Sequence, residues 1–93
     1  MRTIRYTNKF KKDFKREKAG QLGKRVEGLL NDTTDLLKVD KPLPDRYSDH
    51  QLSGDLIDCR ECHIRPDRLL IYRKPDDSTL ELVRLGSHSE LFG

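Results

Sequence analysis

A chain of 93 residues is long enough for one hydrophobic core and too short for two, so we expect a single domain spanning residues 1–93. Hydrophobic residues make up 33% of the chain and charged residues 38%, which predicts a thin core that a tight partner of the folded form would stabilise. No run approaches the roughly 20 apolar residues of a membrane helix. We therefore expect no membrane contact, a cytoplasmic location, and reduced thiols at the two cysteines.

The charges are unevenly distributed along the chain. Residues 1–25 carry ten basic and two acidic residues, a formal charge of +8, and the remainder carries −5. Phosphate backbones and acidic protein surfaces both fit such a segment, and so does a solvated helix face without a partner.

The first quarter of the chain predicts a strand followed by a helix. Polar and apolar residues alternate over Thr3–Tyr6, which is typical of a short strand. Thr7 or Asn8 can then cap a helix. Two phenylalanines one turn apart among lysines predict a strongly basic amphipathic helix, which Gly20 ends.

A second helix is predicted from Leu22 to Leu37, where leucine and valine recur at helical spacing. A break near Thr33 and Thr34 is an open alternative, because threonine hydroxyls favour caps over helix interiors. The two prolines of residues 41–45 cannot continue a helix, so a connecting loop begins there.

The second half of the chain predicts a β-meander. Three segments alternate as strands do, and short turn-forming segments separate them, which favours antiparallel hairpins. Leu69–Ile71 is apolar on both faces and predicts a central strand with helices covering one face. The fold class is α+β: an N-terminal strand and two helices packed on a mostly antiparallel sheet, in the order β-α-α-β-β-β. The predicted strands of the meander are Arg60–Ile64, Arg68–Tyr72 and Thr79–Leu85.

The three histidines, His50, His63 and His88, are the candidate chemical groups. Strand pairing could gather them with Asp67 on one concave face. Imidazole exchanges protons near neutral pH, and RNA cleavage needs only a base for the ribose 2′-hydroxyl, a cation near phosphorus and an acid for the departing 5′-oxygen. Ordinary surface histidines are the alternative.

The segment Cys59–His63 matches C-x-x-C-H, the attachment pattern of c-type haem. Residues three apart on a strand point to opposite faces, so Cys59 and Cys62 could not easily hold one ion or one porphyrin. We therefore expect no cofactor and no metal. Zinc bound by one cysteine and two histidines remains a minor alternative.

Phe92 stands one residue from the end of the chain. Its ring could stack on an unpaired base. It could equally close one edge of the core.

Three segments in this order resemble the YafQ-like branch of the RelE/ParE toxin superfamily: Asp49–Gly54, Arg60–Tyr72 and Val83–Gly93. The N-terminal strand and helix pair agree with that family in pattern. The resemblance implies a type II toxin–antitoxin toxin, namely a ribosome-dependent mRNA endonuclease that a RelB/DinJ-like antitoxin encoded beside it silences.

The resemblance also implies roles for single residues. His50, His63, Asp67 and His88 match the catalytic positions of the family. In that precedent His88 contacts the scissile phosphate or the leaving oxygen, and Asp67 or a histidine is the base. Phe92 matches an aromatic residue that orients the substrate.

Three further residues bear on the substrate. Arg84 is a reasonable candidate to stabilise phosphate charge. Arg68 stands where this branch commonly has tryptophan, and Leu85 replaces a usual threonine, which affects base stacking and codon preference. An arginine at position 68 can still stack on a base through its guanidinium plane.

The basic first helix would contact ribosomal RNA in the decoding site of the small subunit, with the messenger RNA beside it. A binding module of the same fold, which grips an antitoxin or RNA without cutting, is the alternative function. The helix residues expected to bind RNA are Lys9, Lys11, Lys12, Lys15 and Arg16.

Overall fold

The computed structural model describes residues 1–93. One five-stranded sheet has the order β1-β5-β4-β3-β2, in which β1 runs parallel to β5 and every other pair is antiparallel. The central position of β4 confirms the prediction from its apolar run. The expected α+β class is confirmed as well. The elements are β1 (Thr3–Tyr6), α1 (Asn8–Ala19), α2 (Arg25–Leu37), β2 (His50–Gln51), β3 (Arg60–Arg65), β4 (Arg68–Arg73), β5 (Thr79–Gly86) and α3 (His88–Phe92).

Helix α1 begins where the sequence predicts. The Thr7 side chain accepts a hydrogen bond from the Phe10 N–H, so Thr7 is the N-cap and Asn8 the first helical residue. No helix combines the length and apolar character that a bilayer crossing requires.

Helix α2 differs from its prediction at its start and in its middle. It begins at Arg25 rather than Leu22 and runs unbroken through Thr33 and Thr34. The hydroxyls of both threonines donate to carbonyls about one turn earlier, and both residues are buried. Because the helix satisfies these hydroxyls internally, the alternative of a break at this point is wrong.

Two short elements, β2 and α3, have no counterpart in the sequence prediction. Strand β2 has two residues, too few for a hydrophobic period. Helix α3 has five, and it starts with a capping box in which the Ser87 hydroxyl accepts the Glu90 N–H and the Glu90 carboxylate accepts the Ser87 N–H.

The core lies between the helices and one face of the sheet. Apolar side chains from α1, α2, β3, β4 and β5, together with Leu22 and Tyr47, form one cluster of 13 buried residues. The sheet contributes Cys62, Ile64, Leu70, Tyr72, Leu80, Leu82 and Leu85 to it.

Helix α1 also closes the edge of β5 beyond the end of β1. The Thr7 hydroxyl donates to the Val83 carbonyl, the Asp13 carboxylate accepts the Leu85 N–H, and the Arg16 guanidinium donates to the Leu85 carbonyl. A buried backbone group without a partner is costly, so these contacts explain why a basic helix carries a buried aspartate.

Candidate active site

The sheet face opposite the core gathers residues from all three long antiparallel strands and from β2. His50 pairs directly with Glu61, which lies beside Ile71. In the next row, two residues along β3, His63 pairs with Leu69, which lies beside Gly86 at the end of β5. The register therefore places His50 and His63 on one face.

The spacing of these positions follows from sheet geometry. His50 and His63 are diagonal neighbours, which are about 7–8 Å apart in antiparallel sheets. His63 and Gly86 lie two strands apart, or roughly 10 Å at the usual interstrand spacing. His88 follows Gly86 by two residues at the start of α3, so the topology brings the backbones of all three histidines to one region.

His63 has one ring nitrogen fixed by the backbone. Its Nδ1 lies 3.3 Å from the Pro66 carbonyl oxygen. A carbonyl can only accept a hydrogen bond, so this contact requires the proton on Nδ1. The Nε2 atom of His63 is then left to exchange protons with a substrate.

His50 has acceptors at both ring nitrogens. Nδ1 lies 2.7 Å from the Ser48 carbonyl oxygen, and Nε2 lies 3.5 Å from a carboxylate oxygen of Glu61. The His50 side chain is 53% exposed, whereas that of Glu61 is 8% exposed. The contact to the Ser48 carbonyl requires the proton on Nδ1, and the buried Glu61 carboxylate faces Nε2.

His88 and Phe92 lie one turn apart on α3. Their ring centroids are 5.1 Å apart, with the planes tilted by 45°. Phe92 is 42% exposed and lies outside the core cluster. The interpretation of Phe92 as a plug of the core is therefore wrong, and the ring is available to a ligand.

Asp67 lies at the turn between β3 and β4. Its side chain is 64% exposed, and its carboxylate lies 3.2 Å from Arg68 Nη1 and 3.6 Å from Arg65 Nε. The carboxylate is thus accessible but surrounded by positive charge.

Arg68 and Arg84, both predicted substrate contacts, are bound to buried acids of α1. Arg68 Nε lies 2.6 Å from Glu17, and Arg84 binds Asp13 through Nε and Nη2 at 2.7 and 3.2 Å. The hydrogen bond to Glu17 raises the pKa of Arg68. While these ion pairs persist, only the remaining N–H groups of either arginine can contact RNA.

The five residues of α1 predicted to bind RNA fall into two groups. The four lysines are exposed and form no ion pair. Arg16 instead contacts Asp13, Glu17 and Glu90. Its guanidinium joins α1 to α3, so its place in the fold differs from that of Lys9, Lys11, Lys12 and Lys15.

Both cysteines are buried, and neither forms a disulfide bond. Burial raises the pKa of both thiols, so neither is an activated nucleophile. No group of three histidine, cysteine or acidic side chains is arranged to hold a metal ion.

Sequence reasoning missed the acidic partners of the site. Glu61 faces His50, and Asp13 and Glu17 anchor the two arginines. A signal for the α1 pair was present, since Asp13 and Glu17 are the only acids of the first 25 residues and stand one helical turn apart. Glu61 gave no such signal, because only the strand register identifies its partner.

The fold and site define a class: a small α+β protein with imidazoles on the face of a mixed sheet opposite the core and a short C-terminal helix beside them. The family model described as "Bacterial toxin of type II toxin-antitoxin system, YafQ" matches residues 2–93. The mRNA interferase toxin YafQ of Escherichia coli K12 is 38% identical over 92 residues, which cover 99% of this chain and 97% of that protein.

Solved structures agree with this assignment. A metal-bound toxin from Helicobacter pylori is 46% identical with a TM-score of 0.82, over 99% of this chain and 100% of that one. The E. coli toxin in the DinJ-YafQ toxin-antitoxin complex is 36% identical with a TM-score of 0.81, over 99% and 98% of the two chains. The chain belongs to the YafQ family of toxins of type II toxin–antitoxin systems.

Proposed function

We propose that this chain is an mRNA interferase, an endoribonuclease that cleaves messenger RNA without a metal ion. The observation that carries the proposal is the shared sheet face of His50 and His63, with the Nδ1 proton of His63 fixed by the Pro66 carbonyl and His88 at the end of β5. The similar E. coli protein is named an mRNA interferase toxin.

The reaction is a transesterification within one RNA strand. His63 Nε2 takes the proton of the ribose 2′-hydroxyl, and the 2′-oxygen attacks the adjacent phosphorus. His88 gives a proton to the departing 5′-oxygen, so the P–O5′ bond breaks and a 2′,3′-cyclic phosphate forms. Each acid or base contributes about 10²- to 10⁴-fold to the rate. His50 provides positive charge for the developing phosphorane.

Two exposed groups complete the site. We assign Phe92 to the base beside the cleaved bond, since its exposed ring stands next to His88. Asp67 is the other candidate base. His63 is favoured because its ring is oriented by the backbone, whereas the Asp67 carboxylate is engaged by Arg68 at 3.2 Å.

The exposed lysines of α1 are assigned to ribosomal RNA, which would hold the toxin in the decoding site of the small subunit. Arg16, Arg68 and Arg84 are assigned to the frame of the site, where they hold α1, β4, β5 and α3 together through carboxylates. This assignment replaces direct RNA contact as the first role of these three arginines.

The partner that silences the toxin is proposed to be a RelB/DinJ-like antitoxin, since the E. coli relative forms a complex with DinJ. The whole chain, residues 1–93, is proposed to act as one domain in the cytoplasm. Metal analysis of active purified protein tests the metal-free mechanism: a stoichiometric transition metal would favour the zinc alternative.

Mapping of transcript 5′ ends after induced expression tests the cleavage itself. The wild-type chain should produce cuts inside codons that disappear in His88→Ala and persist in the matched control Ser89→Ala, which changes the next residue of the same helix. Growth arrest that survives His88→Ala with intact transcripts would contradict the enzyme and favour a non-catalytic binding module.

A cleavage assay with purified ribosomes and toxin then distinguishes His63 from Asp67 as the general base. His63→Ala should lower the single-turnover rate by about 10²-fold or more, and Asp67→Asn by clearly less. If RNA without ribosomes is cleaved as fast as messenger RNA on the ribosome, the toxin does not depend on the ribosome.

A further inference from the structure

A hollow borders the catalytic face on its β3 side. It has a volume of about 290 Å³ and lies between the β3–β4 turn and the 3-10 turn Asp45–Tyr47. Strand β2 pairs only with Arg60 and Glu61, so the outer edge of β3 beyond Glu61 has no strand beside it. The hollow is lined by Arg46, Tyr47, His63, Ile64, Arg65 and Pro66.

Of the two arginines of this hollow, Arg46 has no carboxylate partner and Arg65 has one long contact, to Asp67. Arg46 forms no ion pair, and its guanidinium lies over the Tyr47 ring at 5.0 Å. The nearest carboxylate to Arg65 is that of exposed Asp67, 3.6 Å away, and the buried Nε of Arg65 has no hydrogen-bond partner. By contrast Arg60, on the same strand, is bound to Asp49.

Arg46 has no carboxylate partner, and the Arg65 side chain is 38% exposed with only a 3.6 Å contact to Asp67. A phosphate oxygen is the acceptor that guanidinium groups match best. The acids that adjoin the lining residues in the sequence, Asp45 and Asp67, are both exposed. His63 forms part of the wall, so any group in the hollow lies next to the proposed general base.

We propose that the hollow between Arg46 and Arg65 binds a backbone phosphate of the messenger RNA strand, one that is not cleaved, and so fixes the strand beside His63. The claim that this subsite lies next to the cleaved bond rests on the proposed function. Its ligand chemistry, a phosphodiester on single-stranded RNA, rests only on the two arginines and the hollow.

The test uses the full chain and two measurements on Arg46→Gln, Arg65→Gln and the double variant. In the first measurement, NMR detects the binding of a short 2′-O-methyl oligonucleotide that the protein cannot cleave. Each single variant should weaken binding about 3- to 10-fold and lower the salt slope by about 0.7, the value for one phosphate on a single strand. The Arg65 Nε–H resonance of the unsubstituted protein should shift on binding.

The second measurement is ribosome-dependent cleavage. KM for messenger RNA should rise about 3- to 10-fold in the single variants, while kcat stays within about twofold, because the subsite holds the strand without taking part in the reaction. Arg25→Gln is the matched control: Arg25 is an exposed arginine without an ion pair at the start of α2, and its variant should match the wild type in both measurements.

Three results would overturn the subsite. The first is unchanged oligonucleotide binding in both single variants. The second is a loss of kcat with KM unchanged. The third is a loss of affinity for ribosomes that carry no messenger RNA, which would assign the arginines to ribosomal RNA. Failure of the wild type to cleave any RNA would instead refute the proposed function, and the oligonucleotide arm would still decide the subsite.

Discussion

Asp13 is the residue on which the joint between α1 and β5 depends. Its carboxylate accepts hydrogen bonds from the Arg84 guanidinium, the Leu85 N–H and the Arg16 guanidinium. It therefore satisfies a backbone donor at an open strand edge and forms ion pairs with two arginines at once. Few substitutions can replace all three contacts, because only a carboxylate has enough acceptor sites.

Asp13→Asn should lower the free energy of unfolding by about 1.5–3 kcal/mol, the range for hydrogen bonds to charged groups. The lower half of that range is expected, because Arg16 and Arg84 are partly exposed and water screens their charge. Urea denaturation measures the change. Asp35→Asn is the control, since exposed Asp35 pairs with Lys38 on the surface. Equal losses in the two variants would contradict the role of Asp13.

The loss of stability in Asp13→Asn should also depend on pH. Burial raises the pKa of Asp13, but hydrogen bonds from Arg84, the Leu85 N–H and Arg16 outweigh it, and the net pKa is lowered. A lowered folded-state pKa contributes stability above the unfolded value of about 3.9, and this contribution is lost as the pH falls through the folded value. The stability gap between wild type and Asp13→Asn should therefore be constant near neutral pH and close below about pH 4. A gap that widens on acidification would contradict this sign.

At the scale of elements, the end of β5 and α3 depend on a close approach at Gly86. A Cβ built there would lie 2.5 Å from Arg16 Nη2, 3.0 Å from Glu90 Oε1 and 3.3 Å from Leu91 Cδ2. Arg16 and Glu90 in turn form an ion pair at 3.0 Å. The absence of a side chain at position 86 lets α1 and α3 meet over the strand end, which sets where His88 and Phe92 stand.

Gly86→Ala should push aside the ends of the Arg16 and Glu90 side chains and weaken the contact between α1 and α3. We expect the cleavage rate to fall by less than the roughly 10²-fold cost of misplacing a catalytic group by about 1 Å. Gly28→Ala is the control. Gly28 lies in α2 with nothing within 4 Å of its Cβ position, so its variant should keep full activity and gain about 0.5–1 kcal/mol of stability. Single-turnover cleavage with a matched melting curve measures both. A fully active Gly86→Ala would show that α3 needs no such approach.

Periodicity predicted the elements that bury a regular stripe, and it failed where local hydrogen bonding decides. The strand at Thr3–Tyr6 and the three strands of the meander were predicted within a residue at each end. The break at Thr33 and Thr34 was wrong, because bonds back to the helix carbonyls satisfy their hydroxyls. The two-residue β2 and five-residue α3 are too short for any period to indicate them.

The site divides in the same way between what sequence could and could not predict. The histidines, Asp67 and Phe92 are candidates from the residues themselves, a family resemblance adds their roles, and those roles stay predictions. The partners of Arg68 and Arg84 lie 51 and 71 residues away in the sequence. Such pairs follow from how α1 lies against β4 and β5, which no spacing in the sequence reveals.

On the scale of the whole molecule, the acidic residues of the N-terminal segment are buried and its lysines are exposed. The two acids of residues 1–25, Asp13 and Glu17, are buried against arginines, whereas the lysines of α1 face solvent. The outer surface of α1 is therefore more positive than its composition suggests. A surface of this kind favours polyanions and steers their approach.

Lys11→Glu and Lys15→Glu should each weaken binding to the small ribosomal subunit and reduce the salt slope of the binding constant by about one, as the loss of a phosphate contact requires. Lys41→Glu is the matched control: Lys41 is exposed and unpaired, but it follows α2 and is far along the chain from α1. Filter binding across a salt series measures the slope. If the slopes of the α1 variants equal that of the wild type, or if Lys41→Glu lowers the slope as much, ribosome affinity does not come from this helix and the exposed lysines are only a solvated face.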